Sequence, residues 1–347
     1  MSLEDEIRRR LDEIPYPGFR HSIVRYGIVQ RVDVTGGDVK LSVFPASARR
    51  EVNESVAARV RESLAKIGGV RSVNVIIAAP ADAGAEAAAL SGVRRIVAVS
   101  SAKGGVGKST VAVNLAIALS RGGAKVALMD ADVYGPSAPL MLGTAARPRA
   151  SANKITPIER YGIEVMSMGF FLDDSSPVIW RGPMVMGLVR QFLRDVEWGT
   201  ADYLIVDMPP GTGDAALTLA QQVPLAGAVI VTTPQEVALV DVERGIAMFR
   251  QLAVPVLGIV ENMSEYVCPD CGDRDELFGS GGAEALAKRF GVPLLASLPL
   301  VARVREGGDA GVPIVVADPD HAVSKQFVAL ARSVDQALSL QPPDAAL

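Results

Sequence analysis

The sequence predicts an α/β protein: a doubly wound, mainly parallel sheet preceded by a small α+β domain. Three observations carry this. From position 93 onward, short apolar, β-branched runs alternate with stretches of helical periodicity, the order that builds parallel strands through helical crossovers. Of the 347 residues 49% are hydrophobic but only 5% aromatic, with Ala, Val and Leu prominent, which suits helices packed on a parallel sheet better than a β-sandwich. The first 79 residues follow another order, helix, two strands, helix, strand.

In that first segment Leu3, Ile7, Leu11 and Ile14 recur at helical spacing until Pro15 and Pro17 stop the helix. Runs 27–34 and 39–44 flank Thr35-Gly36-Gly37-Asp38, a hairpin with turn chemistry between two β-rich runs. A second helix over 48–67 ends at Gly68-Gly69, and 70–77 reads as a third strand. Residues 80–92, Ala-rich and bounded by Pro80 and Gly92, read as a linker. Beyond it, strands are expected at 96–100, 125–129, 163–167, 203–207, 228–232 and 256–260. Helical patterns lie at 109–121, 185–195, 236–252, 283–290 and 322–338, and no internal repeat is apparent. Sheets of this kind bind ligands at the carboxyl ends of their strands, and the chemistry-bearing residues fall there.

The strongest motif follows the strand at 96–100: Ser101-Ala102-Lys103-Gly104-Gly105-Val106-Gly107-Lys108-Ser109-Thr110. Gly104, Gly105 and Gly107 let the backbone turn its N–H groups inward at a helix N-terminus, a nest for a polyphosphate. Lys108 would reach the β- and γ-phosphates and the Ser109 hydroxyl would ligate Mg²⁺. This is the phosphate loop of a P-loop NTPase, spanning Ala102 to Thr110, with one departure. The usual template has glycine where Ala102 stands, and Ala is expected there in an ordinary backbone region, because it tolerates positive φ poorly. One lysine serves the loop's own phosphates, so Lys103 is either a solvated loop lysine or acts on another subunit's nucleotide.

Leu204-Ile205-Val206-Asp207 is an apolar strand closing on a carboxylate, placed to hold an Mg²⁺ water beside the loop, and residues 208–214 form a glycine-punctuated segment able to sense the γ-phosphate. Asp130 and Asp132 end the strand at 125–129. Residues two apart in a strand point the same way, so both carboxylates are expected to face one site; the plainer alternative is that Asp132 begins a turn. Asn262 ends the strand at 256–260 with an amide that can match adenine's donor and acceptor edge, or satisfy a turn.

Cys268 and Cys271, in Cys268-Pro269-Asp270-Cys271-Gly272, are the only cysteines. Zinc and iron–sulfur sites need four ligands, and His21 and His321 are too isolated to be assumed among them. A homodimer with two such pairs on its twofold axis supplies four thiolates, so the arithmetic predicts a bridging metal, an iron–sulfur cluster or zinc. Thioredoxin-like redox use is the remaining reading, although that motif normally opens a helix in a much smaller fold.

Charge excludes other classes. A net charge of −4 and a pI near 5.4 argue against general affinity for nucleic acid, and Arg8-Arg9-Arg10 is interleaved with acids as a solvated helix face. The start is charged from Glu4 without an apolar leader, no apolar run approaches a membrane span, and two cysteines fit a reducing compartment, so a cytoplasmic protein without a membrane partner is expected.

The Lys-Gly-Gly-x-Gly-Lys-Ser form at 103–109 resembles the deviant Walker A motif of dimeric MinD/ParA-type ATPases. That resemblance implies that Lys103 crosses a dimer interface to neutralise charge on the partner's nucleotide. It further implies that Asp132 orients the attacking water, that Asp130 belongs to the loop's surroundings, and that Asn262 contacts adenine. The cysteine pair, combined with Pro209-Pro210-Gly211-Thr212-Gly213-Asp214, narrows the resemblance to the Mrp family, also called ApbC-type iron–sulfur cluster carriers, over 93 to about 338. Trp180-Arg181-Gly182-Pro183 and Thr233-Pro234-Gln235-Glu236 also match; Pro183 is well placed to start a helix, and the former stretch is given no catalytic role. The first segment resembles the small metal–sulfur cluster assembly domain that often precedes such ATPases. A cysteine commonly follows the second strand of that domain, whereas Phe44-Pro45-Ala46-Ser47-Ala48-Arg49 has none, which leaves docking or a passive appendage.

The resemblance thus implies a small domain at 1–79, a linker at 80–92 and an ATPase domain at 93–341. It implies ATP binding and slow, Mg²⁺-dependent hydrolysis coupled to a [4Fe-4S] cluster held by Cys268 and Cys271 between the subunits of a homodimer. The partners implied are apo iron–sulfur proteins and cluster assembly proteins. Two other classes share the nucleotide site: a MinD/ParA-like positioning ATPase, which would need a membrane or DNA anchor, and a nucleotide-binding scaffold with a bridging zinc. The stretch 327–338 has apolar helical spacing without a basic face and reads as a packing helix rather than an anchor.

Overall fold

The computed structural model describes residues 3–15, 22–24, 29–43, 50–77, 90, 92–133, 135–151, 154–171, 189, 191–268 and 271–340. They form two compact units, Met1–Ala87 and Ala88–Leu347. The stretch 44–49, Trp180 to Pro183, most of the expected linker and the start of the helix expected at 185–195 lie outside the described residues.

In the first unit, helix α1 (Leu3–Asp12) buries Ile7 and Leu11, the stripe its spacing predicts. Strand β1 (Val29–Thr35) pairs antiparallel with β2 (Asp38–Val43) through a turn in which Gly36 and Gly37 take φ of 56° and 92°, values that favour glycine. In β2 the residues alternate, Val39, Leu41 and Val43 inward and Asp38 and Lys40 outward. Helix α2 (Arg50–Leu64) adds Val56, Val60 and Leu64 to the core, and β3 (Ser72–Ile77) runs parallel to β2.

The second unit runs β4 (Arg95–Ser100), α3 (Lys108–Arg121), β5 (Val126–Asp130), the single turn α4 (Ala138–Met141), a small hairpin β6 (Arg149–Ser151) and β7 (Lys154–Thr156), β8 (Ile158–Arg160) and β9 (Ile163–Ser167). It continues with β10 (Tyr203–Asp207), α5 (Asp214–Gln222), β11 (Gly227–Thr232), α6 (Glu236–Gln251), β12 (Val256–Val267), β13 (Arg274–Asp275), α7 (Gly282–Phe290), β14 (Leu294–Leu300), α8 (Ala302–Asp309), α9 (Ile314–Ala317) and α10 (Ala322–Ser339). A 9-stranded sheet has the order β13-β12-β11-β4-β10-β5-β9-β8, with β14 also on β12. Its pairs are parallel except β8 with β9 and β12 with β13. Every residue of β5, β10 and β11 is buried, which is why these strands read as unbroken apolar runs. Helix α3, buried from Val111 through Leu119, packs on β4, β5 and β10 and holds the phosphate-loop end at the carboxyl edge of β4.

Several elements, α5 among them, have no counterpart in the sequence expectations, and three departures bear on the site. Strand β12 continues to Val267, past the expected end at 260, because its outer half finds a partner in β13 that local periodicity does not announce. Strand β14 ends in Leu298-Pro299-Leu300; as an outer strand it tolerates the proline. Helix α8 carries Gly307 and Gly308, poor helix formers, and buries none of its residues; at Gly307 a Cβ would stand 2.6 Å from the Val312 carbonyl oxygen.

Two glycines cross where the segment after α4 meets the end of α8. Gly143 and Gly311 take φ of 60° and 73°, and a Cβ on Gly311 would stand 2.2 Å from the Gly143 Cα. The Tyr161 hydroxyl donates to the Gly311 carbonyl at 2.9 Å. Replacement Gly311→Ala combines a left-handed conformation with a backbone clash and is expected to destabilise the unit by about 2–4 kcal/mol. That corresponds to a fall of roughly 5–10 °C in melting temperature by calorimetry.

Candidate functional site

The loop between β4 and α3 has the backbone its glycines predict. Gly105 and Gly107 take φ of 81° and 85°, and Gly107 caps α3 with no side-chain hydrogen bond to the helix start. The first N–H groups of a helix want an acceptor, and no cap side chain supplies one here. A Cβ at Gly104 or Gly105 would meet nothing within 4 Å, so this side of the loop is open to a ligand. Ala102 is absent from the residues at positive φ, as the sequence argument expects of alanine. Ser101 Oγ donates to the Lys103 carbonyl at 2.9 Å, and the Lys103 side chain is exposed. The segment after β10 is strapped to the loop: Met208 N donates to Val99 O at 3.0 Å and Gly211 N to Ser101 O at 2.8 Å.

Beneath the loop lies a buried charge cluster. Lys108, only 5% exposed, donates from Nζ to Asp207 Oδ1 at 2.5 Å and to Ser109 Oγ at 3.2 Å, and stands 3.7 Å from Asp132 Oδ2. A buried ammonium among carboxylates compensates charges whose isolated burial would be prohibitive. The second Asp207 oxygen, Oδ2, is buried without a hydrogen-bond partner. An orphaned carboxylate oxygen beside a serine hydroxyl is a donor set that fits Mg²⁺, which takes few protein oxygens and keeps several waters. Burial pushes the Asp207 carboxyl upward against the pull of Lys108. Asp130 is pushed up to about 7, first by desolvation and then by the Asp207 charge.

The two aspartates at the end of β5 lie at the same cluster but take different partners: the strand ends at Asp130, which still feels the charges of Asp207 and Lys108. Asp130 accepts from Asp132 N at 3.2 Å, Ala138 N at 3.1 Å and Ser167 Oγ at 2.9 Å, and so braces the turn that follows it. Asp132 instead joins Lys108, with Gly135 N donating to its Oδ1 at 3.3 Å. The structure thus brings Lys108, Ser109, Asp132 and Asp207 together, while the Asp130 oxygens are occupied in holding the loop.

A cleft of about 420 Å³ opens beside Gly107 and Thr110 and is walled by Leu140, Asn262, Met263, Leu300 and Val304. Its size and apolar walls suit a planar base. Asn262 donates from Nδ2 to the Val106 carbonyl at 2.9 Å. Sequence reasoning missed the walls given by β14 and α8; these residues carry no motif, and only their place next to β12 brings them here.

The cysteines stand apart from this cluster, at the far end of β12. Tyr266 and Val267 pair with Asp275 and Arg274 of β13, and the turn between is fixed by Cys268 N to Asp273 O at 2.9 Å and Gly272 N to Cys268 O at 3.0 Å. Cys268 is half-buried, Cys271 is exposed, and neither is in a disulfide. Among the described residues no group of three or more His, Cys, Asp or Glu side chains assembles to hold a metal ion. His321 caps α10, its Nδ1 accepting from Val323 N at 3.2 Å, an ordinary structural task; His21 lies outside the described residues. No helix among the described residues is long and apolar enough to cross a membrane.

A family model described as ParA, NUBPL iron-transfer P-loop NTPase, matches residues 92–335, and one for an iron–sulfur cluster assembly protein matches residues 4–75. The chain is 46% identical over 349 residues to the iron–sulfur cluster carrier protein of Synechocystis sp., covering 98% of this chain and 99% of that relative. Among solved structures, a nucleotide-binding protein in complex with ADP from Archaeoglobus fulgidus superposes with a TM-score of 0.60 at 40% identity, covering 66% of this chain and 91% of that one. The cell division ATPase MinD of Pyrococcus furiosus superposes with a TM-score of 0.54 at 27% identity, covering 70% of this chain and 99% of that one.

Proposed function

The chain belongs to the family of NUBPL-type iron-transfer P-loop NTPases, and from that membership we propose that it is an ATP-dependent carrier of a [4Fe-4S] cluster. The cluster is held between two copies of the chain and handed to apo iron–sulfur proteins. The observation that carries this reading is the cysteine turn: two thiols per chain, one exposed, with no third ligand among the described residues. A four-iron cluster takes four thiolates, and a twofold dimer provides them from two such turns. A reducing compartment keeps these thiols available, which favours the cytoplasm. The first unit, matched by the cluster assembly model, serves to dock cluster assembly proteins.

At the other site, ATP lies with its phosphates on Ala102 to Thr110 and its base in the cleft beside Asn262. Lys108 leaves its carboxylate partners for the β- and γ-phosphates. Ser109 and Asp207 are the residues that would hold Mg²⁺, which when bound supplies positive charge to the phosphates. Asp132 orients the attacking water, and the exposed Lys103 reaches the partner's nucleotide, so turnover waits on dimerisation. Slow hydrolysis then biases the dimer between states that bind the cluster with different affinity, the condition for nucleotide to control cargo.

Anaerobic reconstitution with iron and sulfide tests the proposal. About four irons and four sulfides per dimer, with transfer to an apo iron–sulfur protein, are expected; a colourless dimer that retains zinc would make the turn a structural clasp on a nucleotide switch. The crossing role has its own test. Lys103→Ala is expected to keep ATP binding while phosphate release falls by about 10³-fold, the lower end of what a charge supplied in trans contributes. Unchanged turnover in that variant removes the role.

A further inference from the structure

We propose that Asn262 is a positioning residue for the phosphate loop: its side-chain amide holds the Val106 carbonyl and so sets the orientation of the loop's N–H groups. The inference rests on the reading of residues 102–110 as the seat of the ATP phosphates, and it adds a second task to a side chain read from the sequence as a base contact. Asn262 Nδ2 donates to Val106 O at 2.9 Å across a long sequence separation, joining β12 to the loop. The Val106 carbonyl and the Gly107 N–H belong to one planar trans peptide and point in opposite senses. Fixing the oxygen therefore fixes the direction of the Gly107 N–H at the mouth of α3.

Three further features show how tightly this contact is built. A Cβ on Gly107 would lie 2.1 Å from Asn262 Nδ2, so the glycine is required for the space the amide fills as well as for its φ of 85°. The residue after Asn262, Met263, takes φ of 59°, a left-handed conformation that a non-glycine residue holds only when its surroundings impose it. The pairing of β12 with β14 breaks register between Asn262 and Tyr266, at this same place. The strand thus leaves regular geometry just where its amide meets the loop. One amide N–H is committed to Val106, and the second N–H and Oδ1 stay available to the base.

The two tasks separate by ligand. Affinities of the full chain, Asn262→Ala and Asn262→Leu are to be measured for ATP and for tripolyphosphate, which has no base. Leucine keeps the branching of asparagine at Cγ, in a larger side chain, without the donor. Positioning predicts that both variants lose about tenfold for both ligands, the scale of one unmade hydrogen bond to a buried acceptor. Hydrogen exchange at the Gly107 amide should quicken in each variant while β4 and β10 keep their protection, a readout that stands even where ligand binding is weak. Loss confined to ATP, with tripolyphosphate affinity and Gly107 exchange unchanged, would overturn the proposal and leave Asn262 a base contact only. Failure of the unmodified chain to bind either ligand would instead remove the phosphate-loop reading.

Discussion

The double replacement Cys268→Ala/Cys271→Ala is expected to bring bound iron and sulfide to background after reconstitution, while ATP affinity stays within about twofold of the unmodified chain, as for sites without shared partners. The turn itself survives the change, because its two backbone hydrogen bonds, Cys268 N to Asp273 O and Gly272 N to Cys268 O, use no sulfur. Cys271 is exposed and Cys268 half-buried, so the loss of stability should stay near the ~0.5 kcal/mol of ordinary surface substitutions. Either single replacement should be nearly as severe, since a twofold dimer loses two thiolates of four at once. Iron, sulfide and nucleotide affinity are to be measured on the same preparations. Retention of a full cluster by the double variant would falsify the assignment of the cargo site.

Replacing Lys108 with alanine is expected to weaken ATP binding by at least about a hundredfold, the loss of a charge-assisted contact to phosphate in a buried site, and to bring hydrolysis to background. Lys108 is also the cation that offsets Asp207 and Asp132. Its removal leaves carboxylates in a desolvated place, which costs about 3–5 kcal/mol where no proton is taken up. Burial already raises the Asp207 carboxyl, so proton uptake at the cluster should absorb part of that cost. The variant Lys108→Met/Asp207→Asn separates the two effects, since it restores a neutral pair without restoring phosphate affinity. Melting temperature should recover in part in the double variant, where Asp132 alone is left without its cation, and ATP binding should not. Hydrolysis unaltered by Lys108→Ala would sink the phosphate-loop reading.

The sequence foretells the parts of this molecule where local chemistry decides. Gly105 and Gly107 stand where φ must be positive, the apolar strand before Asp207 is buried at every position, and the glycine-ended turn carries both cysteines. Where partners come from afar, it falls short. The outer half of β12, Asn-Met-Ser-Glu-Tyr-Val, has no clean alternation and exists as strand because β13 returns to pair with it. The base cleft draws on Leu300 and Val304, apolar residues with no spacing to mark them. Asp130 and Asp132 both lie by the Lys108 cluster, but only Asp132 pairs with Lys108; the strand stops at Asp130, and the Asp130 oxygens are taken up by the turn that follows.

Strand β12 spans the distance between the two sites. Asn262 rests on the phosphate loop, Met263 beside it takes a left-handed conformation, and the cysteine turn closes the outer arm. At about 3.3 Å per residue the arm from Asn262 to Cys268 is roughly 20 Å long. The two sites are therefore joined by one continuous backbone, with the outer arm held to the sheet through β13 and β14.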